Sequence, residues 1–143
     1  MNQTSRFRVA LSGSFQTDNG EPVFPMFDLS PLMNDPDIEF DYVYGVGGRM
    51  TAQSLEDFDA LILLLEKFDA DSIPLSGRLS LITRFGVGYD TVDVEACTAA
   101  GIAVGITPDG VRRPVAASVL TFILALSGKL IVKDALVRSG PAN

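Results

Sequence analysis

The sequence predicts an α/β fold, a doubly wound parallel sheet of about five strands followed by a long C-terminal helix. Segments with strand-like and helix-like patterns alternate along the chain, which is typical of parallel sheets. One strand-length segment, residues 60–65, is apolar without interruption, as expected where helices cover both faces of a sheet. Of the 143 residues, 47% are hydrophobic and 20% are charged, which suits a single packed domain.

The N-terminal half predicts two strands and two short helices. Residues 7–11 alternate and meet Ser12-Gly13-Ser14, so they predict a first strand that ends in a loop. Residues 28–32 open a short helix, since a proline follows the capping residues. Residues 38–44 alternate and are half polar, which predicts a strand at or near the edge of the sheet. Residues 51–58 predict a helix that a threonine caps.

The C-terminal half continues the alternation. Residues 60–65 predict a central strand, residues 79–85 a fourth strand and residues 102–106 a fifth. Between the last two, residues 93–100 predict a short helix with an acidic first turn and a glycine just past its end. Residues 114–139 predict the long helix, weakened or kinked at a serine-glycine pair and stopped by a glycine and a proline.

The composition indicates the compartment and the partners. A net charge of −7 and a pI near 4.4 give a surface that repels phosphate backbones and anionic lipid, so neither nucleic acid nor a membrane is expected as a partner. The longest apolar run, residues 115–126, is shorter than the roughly twenty residues of a bilayer span, and it predicts a buried helix. The polar residues 1–6 and a single cysteine, Cys97, predict a cytoplasmic protein in which Cys97 is a small core or boundary residue.

Histidine is absent from the sequence. Its absence removes the commonest general acid/base and the usual zinc ligand. The densest acidic group, Asp90, Asp93 and Glu95, lacks the spacing of a calcium-binding loop. We therefore expect no metal site.

Four segments follow predicted strands, at the edge where open parallel sheets bind ligands. They are Ser12-Gly13-Ser14, Glu66-Lys67, Gly86-Val87-Gly88-Tyr89-Asp90 and Thr107-Pro108-Asp109-Gly110. The Gly86 segment is not a dinucleotide fingerprint, because Thr91 stands where a third glycine is needed. Its glycines leave successive backbone N–H groups accessible, which suits a small anion such as a carboxylate; a tight strand-to-helix turn is the alternative. The similar Gly45-Val46-Gly47-Gly48 is interpreted as a loop.

The run LITRFGVGYDTVD at residues 81–93, followed by Gly101-Ile102 and Thr107-Pro108, resembles the D-isomer-specific 2-hydroxyacid dehydrogenases in order, spacing and letters. The resemblance is strong over residues 57–140, whereas only the strand pattern agrees before them. In this family a flavodoxin-like domain holds the substrate, a Rossmann domain holds NAD or NADP, and the active site lies between them. The resemblance implies the N-terminal, substrate-binding part of such an enzyme, truncated before the nucleotide-binding domain.

The resemblance also implies roles for the glycine segment. The amides of Val87 and Gly88 receive the substrate carboxylate, and Gly86 permits its close approach. In members of the family, the catalytic arginine, glutamate and histidine and the cofactor fingerprint lie in a later part of the chain than the segment that this sequence resembles. No catalytic residue is therefore assigned, and this chain alone is expected to be inactive and to bind no cofactor tightly.

Further contacts are assigned at the neighbouring strand ends. Glu66 and Lys67 follow the central strand where family members place pocket residues, so they are assigned to the substrate, with an exposed ion pair as the alternative. The residues assigned to the cofactor are Thr107, Pro108 and Arg112. For Arg112 the alternative is a solvated helix start, at which Asp109 offsets the positive charge.

The expected organisation is a flavodoxin-like substrate-binding domain over residues 1–113 and an interdomain or dimerisation helix over residues 114–143, leading to a Rossmann domain absent from this sequence. The helix is apolar on almost every face, so residues 114–140 are expected to form a homo-oligomer. The expected function is the substrate-binding portion of an NAD(P)-dependent D-2-hydroxyacid dehydrogenase, which interconverts 2-hydroxy and 2-keto acids. The alternative is a non-catalytic module of the same fold that binds small organic acids or acts as an interaction module.

Overall fold

The computed structural model describes residues 6–140, so the first five and last three residues of the predicted domains, including most of the predicted polar start, lie outside the described residues. By its internal contacts the chain divides into two compact units, Met1–Thr107 and Pro108–Asn143. The sheet belongs to the first unit, and the second consists of helices.

Five parallel strands form the sheet in the order β2-β1-β3-β4-β5. The strands are β1 (Phe7–Ser12), β2 (Ile38–Val43), β3 (Ala60–Leu63), β4 (Leu81–Arg84) and β5 (Ala103–Ile106). This is the flavodoxin-like, doubly wound order, so the predicted fold class is confirmed. β2 lies at the edge and β3 at the centre, as the half-polar and the fully apolar segments predicted.

Short helices connect the strands of the first unit: α1 (Ser30–Met33), α2 (Ala52–Leu55) and α3 (Val94–Ala99). Thr51 caps α2 as predicted, since its hydroxyl accepts the Ser54 N–H at 3.3 Å. α2 is shorter than the predicted 51–58. The reason is that Asp59 already donates its N–H to the Arg8 carbonyl at 2.8 Å, which draws the chain into β3.

Two buried clusters form the core, because alternate residues of a strand point to opposite faces of the sheet. Ala10 of β1 packs into the larger cluster and Leu11 into the smaller. The larger cluster receives α2 through Leu55 and α3 through Cys97, both fully buried. Of the two predicted places for Cys97, core or boundary, the structure shows the core, and burial raises the pKa of its thiol, so it stays protonated at neutral pH.

Aromatic rings cover the smaller cluster. Phe15, just past β1, stacks on Phe27 with ring centres 5.0 Å apart. Phe85, just past β4, meets Phe15 at 5.2 Å and Phe27 at 5.1 Å, both edge to face. We call Phe15, Phe24, Phe27 and Phe85 the phenyl cluster. Because Phe85 directly precedes Gly86, the phenyl cluster anchors the start of the loop after β4.

The second unit contains α4 (Pro108–Ser127) and α5 (Leu130–Arg138). Lys129 separates them in the left-handed region at φ 52°, so the kink predicted at residues 127–128 is confirmed as a complete break. α4 begins at Pro108 rather than at residue 114, because a proline fits the first turn of a helix, where its missing N–H has no partner to lose. Pro114 instead lies inside α4.

The side chains of the second unit are exposed. No residue of α4 or α5 is buried in the described chain, so the prediction of a buried helix is wrong there. Apolar residues lie on every side of these helices, and a unit of two helices has no interior to receive them. By length and composition α4 also meets the requirements of a membrane-crossing helix.

Candidate functional site

The carboxyl ends of the five parallel strands lie along one edge of the sheet, which we call the rim. Two features of the first unit lie there. One is the loop after β4, residues 85–91, which we call the Gly86 loop. The other is a concavity formed by the segments after β1, β2 and β3, which we call the Glu66 pocket.

Gly86 is held from two sides. Its N–H donates to the Thr107 hydroxyl at 2.7 Å, and its carbonyl accepts the Thr107 N–H at 2.8 Å. Gly86 is buried at φ +141°, and a Cβ there would lie 2.6 Å from Nη1 of Arg84. Position 86 therefore requires glycine, and the end of β5 fixes the loop that follows β4.

The next residues turn outward. Val87 is 43% exposed, and Gly88 is exposed as well. Within residues 6–140, neither the Val87 N–H nor the Gly88 N–H donates to a protein acceptor. Two adjacent backbone donors at a fixed rim position form an array that can bind a small anion.

Arg84 adds positive charge beside these donors, and because it lies within the pattern of a strand, its sequence position gives no sign of this role. Its guanidinium folds back so that Nη1 donates to the Phe85 carbonyl. Its Nε is buried and has no hydrogen-bond partner in the described chain. A guanidinium at this place favours an anion in front of the Gly86 loop. Asp90 works against it, since its Oδ2 lies 3.6 Å from the Cβ position of Gly88.

Glu66 is only 8% exposed. Its Oε2 accepts the hydroxyls of Ser12 and Ser14 and the Leu65 N–H, and its Oε1 accepts the Ser14 N–H at 3.2 Å. Burial raises the pKa of Glu66, but the Ser12 and Ser14 hydrogen bonds outweigh burial, and the pKa falls below its ordinary 4.5. Glu66 is therefore ionised at neutral pH.

The exposed ion pair considered for Glu66 and Lys67 is wrong, because Glu66 is buried and bonded to serines rather than to Lys67. Lys67 has an exposed side chain, while its N–H donates to the Gly48 carbonyl at 2.9 Å. The Glu66 carboxylate is therefore buried among serines, whereas the Lys67 side chain is exposed to solvent. Sequence reasoning selected Ser12 and Glu66 separately, but their separation of 54 positions concealed that they meet.

The Glu66 pocket has a volume of about 590 Å³. Its lining residues are Gly13, Ser14, Gln16, Thr17, Asp18, Gly20, Tyr44, Gly45, Gly48 and Glu66. The Tyr44 ring lies against Gly13, where any Cβ would collide with it, and the Tyr44 hydroxyl donates to Gln16 Oε1 at 2.6 Å. A Cβ on Gly45 would lie 2.7 Å from the Arg49 carbonyl oxygen. The segment interpreted as a plain loop is therefore also a pocket wall.

A known protein family matches the larger part of the chain. Residues 28–119 match the model of the D-isomer specific 2-hydroxyacid dehydrogenase catalytic domain. The chain belongs to this family. The matched segment includes the whole Gly86 loop, whereas it includes only the Tyr44, Gly45, Gly48 and Glu66 side of the Glu66 pocket; the pocket wall after β1 precedes it.

Curated relatives of this dehydrogenase-family chain include glyoxylate reductases of archaea. The glyoxylate reductase of Thermococcus onnurineus is 35% identical over 96 residues, which are 66% of this chain and 29% of the relative. That of Thermococcus gammatolerans is 38% identical over 89 residues, 62% of this chain and 27% of the relative. The alignments thus span less than a third of the length of these relatives.

Solved structures show the same fold. A 2-hydroxyacid dehydrogenase from Ketogulonicigenium vulgare superimposes with a TM-score of 0.68 at 26% identity, over 95% of this chain and 40% of that one. D-lactate dehydrogenase from Aquifex aeolicus, complexed with NAD and lactic acid, gives 0.68 at 19% identity, over 94% and 38% of the two chains. The likeness to the second protein supports the fold alone.

The three residues that the sequence assigns to the cofactor have different surroundings in this dehydrogenase-family chain. Thr107 commits its hydroxyl to Gly86, as described above. Pro108 is the first residue of α4, in the second unit. Arg112, in the same helix, is exposed and lies 3.5 Å from the carboxylate of Asp109, which offsets its charge as the sequence predicted.

Proposed function

We propose that this chain is the substrate-binding portion of an NAD(P)-dependent D-2-hydroxyacid dehydrogenase. The Val87 and Gly88 amides receive the carboxylate of a small 2-hydroxy or 2-keto acid. The observation that carries the proposal is the pair of exposed donors in a loop that Thr107 and the phenyl cluster hold in place. Donors that are already fixed lose little freedom when an anion binds.

Charge around the loop supports an anionic ligand. The Arg84 guanidinium lies beside Gly86 and adds attraction for a carboxylate. Glu66 and Lys67 follow β3, the strand next to β4, and we propose both as further substrate contacts. Lys67 supplies an exposed ammonium group, whereas the Glu66 carboxylate accepts from a hydrogen-donating part of the ligand.

The Gly86 loop does not fit a dinucleotide. In a dinucleotide site the pyrophosphate lies at a helix N-terminus. Here the N-terminus of α3 is already capped by the Asp93 carboxylate, which accepts the Ala96 N–H at 2.9 Å and so occupies the place that a pyrophosphate needs. We propose that NAD or NADP is held by a separate nucleotide-binding domain. We propose that Pro108 and Arg112 face that cofactor, and that Thr107 acts through Gly86.

The chain alone is proposed to be inactive. Reversible hydride transfer between a 2-hydroxy acid and a 2-keto acid needs a group that takes or gives the hydroxyl proton, and the sequence has no histidine to do this. A non-catalytic acid-binding module would use the same loop. Oxidation of NADH in the presence of glyoxylate, measured with this chain alone, should stay at the background rate; turnover would contradict this part of the proposal.

A titration followed by amide NMR tests the carboxylate site. Glyoxylate, pyruvate and D-lactate should shift the Val87 and Gly88 amide signals to saturation, whereas methyl pyruvate, which has no carboxylate, should not. Val87→Pro removes one donor and should weaken the binding. If the acids leave the loop signals in place, or act no better than the ester, the proposed carboxylate site is wrong.

A further inference from the structure

The Glu66 carboxylate carries a charge that its surroundings do not neutralise. Among residues 6–140, no lysine or arginine lies within ion-pair distance of it. Two cations are adjacent in sequence to lining residues, and neither pairs with Glu66: Arg49 pairs with Asp69 and Asp71, and the exposed Lys67 forms no ion pair in the described chain. Hydroxyl and amide donors solvate the carboxylate but leave its charge in place. A buried anion of this kind favours any cation that can reach it.

One oxygen of Glu66 can still accept a donor. Each carboxylate oxygen offers about two lone-pair sites. Oε2 accepts three donors, whereas Oε1 accepts the Ser14 N–H at 3.2 Å and nothing else in residues 6–140. Because Glu66 lines the pocket, a ligand can supply the missing donor.

The Tyr44 ring adds a second element that suits a cation. Tyr44 is 59% exposed and lines the pocket, and its ring is held against Gly13 by the hydrogen bond from its hydroxyl to Gln16. The face of such a ring attracts ammonium and guanidinium groups. Asp18, which also lines the pocket, adds negative charge. The volume of about 590 Å³ is within the range of small-molecule sites.

We propose that the Glu66 pocket binds a small organic cation, a primary ammonium or guanidinium group on a short aliphatic chain. The cationic group donates to Glu66 Oε1, and the ring of Tyr44 packs on the ligand. The Gly86 loop, with exposed N–H donors and Arg84, has the opposite preference. The rim therefore offers an anion site after β4 and a cation site between β1, β2 and β3.

Titration of the isotope-labelled chain with n-butylammonium tests the cation site. Amide signals of Gly13, Ser14, Gly45 and Gly48 should shift to saturation. Glu66→Gln keeps the shape of the side chain and removes its charge. It should weaken binding about tenfold or more, since a hydrogen bond to a charged group is lost. The matched control Glu95→Gln removes the same charge from an exposed position of α3 and should bind like the original chain.

Equal affinities of the two glutamine variants would overturn the proposal. So would shifts that spread over the surface without saturating. If circular dichroism shows that Glu66→Gln does not fold, the original chain still decides the question. The original chain is titrated with n-butanol, which has the same chain length as n-butylammonium but no charge. If n-butanol binds as tightly as n-butylammonium, a cation site is excluded. Tyr44→Leu, at an exposed position, removes the aromatic ring and should weaken n-butylammonium binding; unchanged binding would overturn the role of the ring.

Discussion

At the scale of single residues, Asp59 joins three segments of the first unit. It lies just before β3, and its carboxylate accepts the Arg8 N–H at 2.7 Å and two guanidinium donors of Arg78 at 2.7 and 2.9 Å. The Arg78 hydrogen bonds lower the pKa of Asp59 below its ordinary 3.8; burial opposes them, and the Arg8 N–H adds to them. The forked contact links the ends of strands that are distant in sequence.

Replacement of Asp59 should therefore destabilise the first unit. Asp59→Asn retains the shape of the side chain but removes the charge that Arg78 binds, which should lower the free energy of unfolding by about 1–3 kcal/mol. Urea denaturation measures the change. Asp57→Asn is the control, because that carboxylate is exposed and lies 3.7 Å from Arg8. Equal losses in the two variants would show that the contact with Arg78 adds nothing.

The same carboxylate predicts how stability responds to acid. Its folded-state pKa lies below its ordinary 3.8, so the stabilisation is complete above that value and is lost as the pH falls through the folded pKa. The stability difference between the original chain and Asp59→Asn should be constant near neutral pH and shrink below about pH 4. Denaturation curves at several pH values measure it; a difference that persists unchanged at pH 2 contradicts the assignment.

Two glycines of the Gly86 loop should differ sharply in their tolerance of a side chain. Gly86→Ala places a Cβ at φ +141° near the Arg84 guanidinium and should destabilise the unit by about 1–3 kcal/mol. Gly88→Ala meets only an ordinary contact at 3.6 Å and should change stability little. Thermal unfolding of both variants tests this. A harmless Gly86→Ala would mean that the loop can relax, and that Thr107 does not hold it rigidly.

At the scale of elements, the strands follow from sequence and several other features do not. Each strand begins and ends within about two residues of its prediction, because an alternating or uninterrupted apolar pattern is a local signal. α2 ends early because Asp59 pairs with Arg8, which is distant in sequence. The Gly86 loop was found from its glycines. The Ser12–Glu66 contact was not predicted, because no local sequence pattern indicates a hydrogen bond between the ends of two strands.

The predicted start of α4 at residue 114 was wrong because two prolines, Pro108 and Pro114, each fit the first turn of a helix. Pro108 occupies the first turn, where proline is tolerated, whereas Pro114 lies inside the helix opposite the carbonyl of Gly110. Pro114→Ala should restore a hydrogen bond and raise helix stability by up to about 3 kcal/mol. Far-ultraviolet circular dichroism during thermal unfolding measures it. Pro108→Ala, in the same helix, should give no comparable gain; equal gains would place the helix start elsewhere.

At the scale of the whole molecule, the two units differ in how much of their apolar surface is exposed to solvent. The first unit buries two apolar clusters against its sheet, while the second leaves the apolar side chains of both helices exposed. Exposed apolar area of this extent is typical of a surface that another molecule covers. The net charge of −7 opposes association of like chains, so salt that screens it should favour their contact.

We propose that residues 114–140 associate with the same residues of a second chain. Light scattering after size-exclusion chromatography should give a mass above that of one chain, increasing with salt. Phe122→Lys together with Leu126→Lys places two charges on exposed positions of α4 and should restore the monomer, because a buried, unpaired lysine is strongly unfavourable. Met26→Lys, at an exposed apolar position of the first unit, should leave the mass unchanged. A monodisperse monomer of the original chain in high salt would contradict self-association, and co-flotation with lipid vesicles would identify a bilayer as the partner of α4 instead.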